Sequence, residues 1–422
     1  MNQRPTPSQE RASPRKLVLP SLVISRFAIE PPGILTGLLL VDIGLTFGCS
    51  VGVVGQIRTI CSIVAVFFAL LMGILSVRFK HKSLLMMGLL LVSISAMACS
   101  FASNFNAMLL SYSISGLGMA MVMPMAFALV GEHFALETRP NAIGWIMTGA
   151  AVSYLVGSPI IGLIDSYGGW RLAFLGYALP VSLLALLLAA KGLPTVVRGP
   201  QAAMSQGSYF EGFKGVFSNR SADACLIGSA LVSATYQAVL VYSASFYRQR
   251  FLVSTGLASI FVLGGALFFT LGAMVSGRFV KKIGRKPLTV LTSFLGGVFI
   301  VSYTSFPNLW LSLAARFLGG LFIGMTSTAA NSLTLEQTPE FRGTMMSMNA
   351  AAGNMGSTLG AGVGGLALLV FDYEGMALSL GVMGIAAAIM FQLLTVDPTK
   401  TETHPHSRSS TNWSPGNSLS QA

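Results

Sequence analysis

Charge is what this sequence has least of. Only 9% of its residues are Asp, Glu, Lys or Arg, where soluble domains carry about a quarter. Hydrophobic residues make up 53% and the mean hydropathy is +0.71. A soluble fold of 422 residues could not cover its surface with so few polar groups, so a lipid bilayer is the expected solvent and partner. Cysteine is also scarce. Cys49, Cys61, Cys99 and Cys225 show neither CxxC nor Cys/His spacing, so neither a zinc site nor a disulfide framework is implied, and free thiols packed as small apolar side chains are expected. The four histidines, His81, His133, His404 and His406, all lie outside the apolar runs, so a histidine proton switch inside the membrane is excluded. No Walker run, nucleophile triad or metal-ligand cluster occurs. ATP-driven transport, enzymatic catalysis and a bound cofactor or metal therefore lack support. The formal charge of +12 is spread over short connections rather than gathered on one face, and no nucleic-acid partner is expected.

What the chain has in plenty is apolar runs. Twelve lie near 18–41, 51–76, 83–103, 107–131, 141–164, 170–190, 223–246, 255–280, 287–306, 309–332, 344–370 and 375–395. Each is about 20 residues or longer, enough to span hydrocarbon as a helix. The first run is too long for a signal-peptide core and lacks a small-residue cleavage site, so it is expected to stay as a membrane helix. Polar, Pro-bearing stretches at 1–17 and 397–422 read as disordered tails. A polar connection at 191–222 separates a first bundle, 18–190, from a second, 223–396. Lys and Arg set the orientation. Arg78, Lys80, Lys82, Arg139, Lys191, Arg198, Lys214, Arg220, Arg278, Lys281, Lys282, Arg285, Lys286 and Arg342 fall on one side, against only Arg171, Arg248 and Arg250 on the other. The expected product is a multi-pass protein of the plasma (inner) membrane with both termini cytoplasmic.

The two sets of six runs echo each other. At an offset of about 204 residues Gly73 matches Gly277, Gly116 matches Gly320 and Glu132 matches Glu336. One residue shorter, Arg139 matches Arg342, Gly157 matches Gly360 and Gly162 matches Gly365. An internal repeat of this size in a membrane protein is the mark of a transporter that rocks one half against the other around a central site. The fold class is thus all-α, with about twelve transmembrane helices in two pseudo-symmetric six-helix bundles.

Several short motifs carry a family resemblance. Between the eighth and ninth runs stands Gly277-Arg-Phe-Val-Lys-Lys-Ile-Gly284-Arg285-Lys286, and between the second and third a degraded copy, Gly73 to Lys82 with Arg78. Within the fifth run stands Gly157-Ser158-Pro159-Ile160-Ile161-Gly162, and Gly169-Trp170-Arg171 opens the sixth. Over residues 18–396 the chain resembles the major facilitator superfamily, in its twelve-helix drug/proton-antiporter-like (arabinose-efflux-type permease) branch. The resemblance implies alternating access, a small-molecule substrate, protons as coupling ion and a monomer. It gives gating or helix-packing roles to Gly73, Arg78, Gly277, Gly284, Arg285, Gly157, Pro159 and Gly162. Two departures stand out. Val77 and Lys281 occupy the place of the family's gate-latching aspartate, and Tyr112 stands where the fourth helix would carry the arginine of R-x-x-x-G, which appears instead as Arg316 before Gly320 in the tenth run.

Ionisable groups inside a span are costly and mark function by default. Arg26 and Glu30 lie at i, i+4 in the first run, on one face, with Glu30 just before Pro31-Pro32, which must interrupt the helix. Arg58 lies in the second run and Arg316 in the tenth; Tyr236 and Gln237 hold the first-run position of the second half. With Tyr112, these are the candidate substrate and proton pathway. Each has a bland alternative: a structural Arg26–Glu30 pair, an Arg58 that snorkels to the headgroups, an Arg316 that pins its helix to a neighbour's carbonyls. Proton-coupled efflux of small organic molecules is the leading expectation. The alternative is a carrier, or importer, of an organic anion held by Arg26, Arg58 and Arg316. A non-transporting membrane sensor that keeps the fold is the third reading.

Overall fold

The computed structural model describes residues 17–135, 138–194, 214–338 and 342–398. Most of the tails expected at 1–17 and 397–422, and residues 195–213 of the connection expected at 191–222, lie outside the described residues. Among the described residues every regular element is helical. The first half holds α1 (Val18–Ala28), α2 (Pro31–Phe47), α3 (Val51–Arg78), α4 (His81–Ser100), α5 (Phe105–His133), α6 (Arg139–Ala173), a π-helical turn (Phe174–Ala178) and α7 (Leu179–Gly192). The second holds α8 (Arg220–Arg250), α9 (Thr255–Ile283), α10 (Arg285–Ser302), α11 (Leu309–Leu335) and α12 (Arg342–Leu394).

Nine stretches among the described residues are long and apolar enough to cross a membrane. Two of them cross twice. α6 breaks at Gly168-Gly169, where Gly169 takes φ 70°, and α12 breaks at Asp372, φ 59°. With α10 the total is twelve crossings. α1 and α2 make up the first, interrupted where the adjacent prolines remove two backbone donors. Side-chain oxygens of Ser50, Asn104, Asn219, Ser254 and Asn308 cap five of the helices, satisfying backbone donors that the first turn leaves free.

The repeat seen in the sequence recurs in the contacts. His81 at the start of α4 meets Glu132 at the end of α5 at 2.6 Å. At the equivalent place Arg285 of α10 meets Glu336 after α11 at 3.8 Å. Lys82 caps the end of α7 through the carbonyls of Ala190 and Leu193, and Lys286 likewise caps the end of α12 through Thr395.

The halves touch through α2 with α8, α3 with α12 and α6 with α9. The approach is close because small residues line it: a methyl at Gly37 would stand 2.9 Å from the Leu240 carbonyl oxygen, and one at Gly52 2.9 Å from that of Gly365. Asp42 and Arg248, Gly52 and Gly365, and Gly162 and Ser259 all meet in the part of the molecule distant from Val18 and Leu394, here called the far face. One buried apolar cluster runs through both halves, joining Leu38, Ile43 and Val54 to Val239, Phe246 and Val262. Toward the terminal face the first half has a cluster of its own, built on Leu22, Leu85, Leu129 and Ala185. The halves are therefore welded at the far face and separately packed toward the terminal face.

Candidate functional site

The break between α1 and α2 sets the site. Arg26, in the last turn of α1, donates from Nη1 to Oε1 of Glu30, the residue that precedes α2. Both side chains are largely but not wholly buried, 16% and 18% exposed. The Arg26 Nε has no hydrogen-bond partner. Across from it, Arg58 of α3 presses its guanidinium against Gly33 in the first turn of α2. Around Arg58 stand Tyr112 of α5, Tyr154 of α6, Cys61 and Glu30. The Tyr154 hydroxyl lies beside the Arg58 guanidinium, and that of Tyr112 lies 3.2 Å from the hydroxyl of Thr36.

The second half contributes the opposite wall. Tyr236 of α8 stacks on Phe269 of α9 with ring centroids 4.2 Å apart. It lies within electrostatic reach of Arg316, Tyr154 and Glu30, which links both halves into one neighbourhood. Gln237 is part-buried and its Oε1 has no partner. Arg316 of α11 is 2% exposed, with neither Nε nor Nη1 hydrogen-bonded. Its room comes from glycine: a methyl at Gly265 would stand 3.0 Å from Nη2, and one at Gly320 3.4 Å from Nη1. A buried guanidinium with unsatisfied nitrogens costs several kcal/mol unless a counter-charge arrives. With Arg26, Arg58 and Arg316 against Glu30, this neighbourhood carries two positive charges in excess.

The residues singled out by motif are more dispersed. A methyl at Gly157 would stand 2.8 Å from the Tyr177 hydroxyl, Pro159 lies inside α6, and Gly162 faces Ser259 across the halves. Gly277 opens onto free space, while Gly284 takes φ 92° between α9 and α10, a turn that an L side chain rarely adopts. Gly73 lies in α3, and Arg78 ends that helix exposed. Tyr154 is absent from the sequence-level candidates. It sits three residues before Gly157, and helical spacing alone does not show that it reaches Arg58.

A family model described as the Major Facilitator Superfamily matches residues 27–270 and 251–420. A protein of Cupriavidus pinatubonensis named probable 4-methylmuconolactone transporter is 26% identical over 361 residues, covering 83% of this chain and 82% of that one. Multidrug resistance protein 1 of Bacillus subtilis is 25% identical over 305 residues, 70% of this chain and 75% of its own. Among solved structures, a D-xylose–proton symporter superposes with a TM-score of 0.74 at 16% identity, over 90% of this chain and 98% of that one.

Proposed function

The chain belongs to the major facilitator superfamily and is a multi-pass membrane transporter rather than an enzyme; on that premise we propose that its cargo is a small organic anion, carried by alternating access. One observation carries the reading. Arg316 is buried with two guanidinium nitrogens unpaired, and a carboxylate is the ligand whose planar oxygens match that fork. Arg58 supplies the second positive charge from the other half, so an anion between them binds both halves at once. The stacked Tyr236 and Phe269 supply an apolar wall for the rest of the molecule.

Protons are the proposed coupling ion and Glu30 their carrier. An anion drawn to Arg26 competes with Glu30 for that guanidinium, which ties the anion site to the proposed carrier. The far face is taken as the outside, with the termini cytoplasmic in the plasma (inner) membrane, because Lys and Arg concentrate at the other side. The protein is taken to act as a monomer. A second reading, a broad exporter of hydrophobic drugs, is favoured by the Gly157–Gly162 run and by the multidrug-resistance relative.

Thermal stabilisation of the purified protein tests the anion reading. Carboxylates should raise the unfolding temperature, their amides should not, and Arg316→Gln should abolish the difference. Equal stabilisation by acid and amide would overturn it.

A further inference from the structure

Away from the arginine-lined site, three ionisable groups meet at the far face. Arg248 of α8 forks onto Asp42 of α2: Nη2 donates to Oδ1 at 2.7 Å and Nη1 donates to Oδ2. Asp165, near the end of α6, lies within electrostatic reach of both, and the Thr255 hydroxyl at the start of α9 lies against its carboxyl. Asp42 and Asp165 belong to the first half, Arg248 and Thr255 to the second. Arg171 is engaged elsewhere, on the Ala102 carbonyl and the Trp170 ring, and Arg250 is exposed. The seam therefore sets two carboxylates against one guanidinium.

One negative charge is left over, and it is part-buried only while the halves touch. Separated, each carboxylate is hydrated and the excess costs little. We propose that Asp165 is a proton-binding residue of the far gate: closure takes up one proton from water onto the Asp165 carboxyl, and opening returns it. The closed seam is then neutral, with Asp42 still paired to Arg248 and the Asp165 acid sharing its proton with Thr255. This site is separate from Glu30, which lies at the mid-membrane helix break.

Asp165 stands just past the apolar run at 141–164. Burial first, and the facing Asp42 second, raise its carboxyl above the ordinary carboxylate range, with Thr255 and Arg248 acting against them. A group that holds its proton more tightly in the closed state stabilises that state at low pH. The benefit fades as pH rises through the closed-state value. Acid should therefore close the far gate.

The test is a distance measurement across the far face. Spin labels go on Phe101→Cys of the first half and Trp310→Cys of the second, both exposed there, with the native cysteines replaced. In detergent both faces see one pH, so sidedness does not enter, and no substrate is added. From about pH 5 to about pH 8 the open-to-closed ratio should rise about threefold or more. Asp165→Asn, neutral at every pH, should hold the acid-like closed distribution throughout, and Asp165→Glu should restore the dependence. A wild-type distribution that ignores pH or opens in acid, or an Asp165→Asn profile matching wild type, would overturn the proposal. Failure here leaves the anion site standing, and loss of carboxylate binding leaves this gate standing, because the two readouts share no ligand.

Discussion

Arg58 holds its guanidinium in space that a β-carbon on Gly33 would occupy. The contact joins the N-terminal third of α3 to the first turn of α2, and it brings a fixed positive charge to the helix break. Gly33→Ala should leave the fold intact, since the displaced atoms are the far end of a flexible side chain. It should move the charge. Carboxylate affinity is expected to fall about tenfold, the scale of one charge-assisted hydrogen bond. Calorimetric titration of wild type and variant checks this, and equal affinities would remove Arg58 from the binding site.

Arg316 separates a functional arginine from a structural one by the sign of a stability change. Replacing even a buried ion pair with apolar side chains of similar volume is often neutral or stabilising by about 1–4 kcal/mol, and a buried charge without a partner has no attraction to lose. Arg316→Met should accordingly keep or raise the unfolding temperature without ligand, while carboxylate binding disappears. A drop in ligand-free stability would identify Arg316 as a helix-pinning residue.

Much of this architecture is legible in the sequence, and the reason is locality. Pro31-Pro32 must break a helix, and the break falls between Ala28 and Pro31. Arg26 and Glu30 share a face at i, i+4, and they pair. The offset of Glu132 to Glu336 foretells that the two corners at the terminal face are built alike, although one uses His81 and the other Arg285. What the sequence hides is long-range. Asp42, Asp165 and Arg248 read as ordinary residues of outer connections, because nothing local brings together positions 206 apart. Tyr154 is hidden for the same reason. Its approach to Arg58 depends on how α6 and α3 both pack against α2.

Glu30→Gln tests the proton carrier. Flux driven by a pH gradient should vanish, while exchange of labelled for unlabelled substrate at equal pH should persist, since exchange moves no net proton. Gradient-driven flux surviving in folded Glu30→Gln protein would rule Glu30 out. A merely structural pair predicts another outcome, loss of folded protein, because Arg26 would be left without its partner.

Gly169 and Asp372 break the two long helices with nearly the same backbone: φ 70° and ψ −177° for the glycine, φ 59° and ψ −165° for the aspartate. An L side chain in that region costs about 1–3 kcal/mol. Asp372→Gly should therefore stabilise the protein, by about 1 kcal/mol once the added freedom of the unfolded glycine is subtracted. Chemical denaturation in detergent measures it, and a destabilised variant would mean that the Asp372 side chain outweighs its backbone.

Flux into liposomes decides whether this transporter moves small organic anions. Purified protein is reconstituted, a pH gradient is imposed, and matched carboxylate, amide and amine solutes are followed across the membrane. Organic-anion transport predicts gradient-dependent movement of the carboxylates, little of the amides and none of the amines, with carboxylate flux lost in Arg316→Gln. Movement of amines or neutral hydrophobic solutes in place of carboxylates, unchanged in that variant, would contradict it.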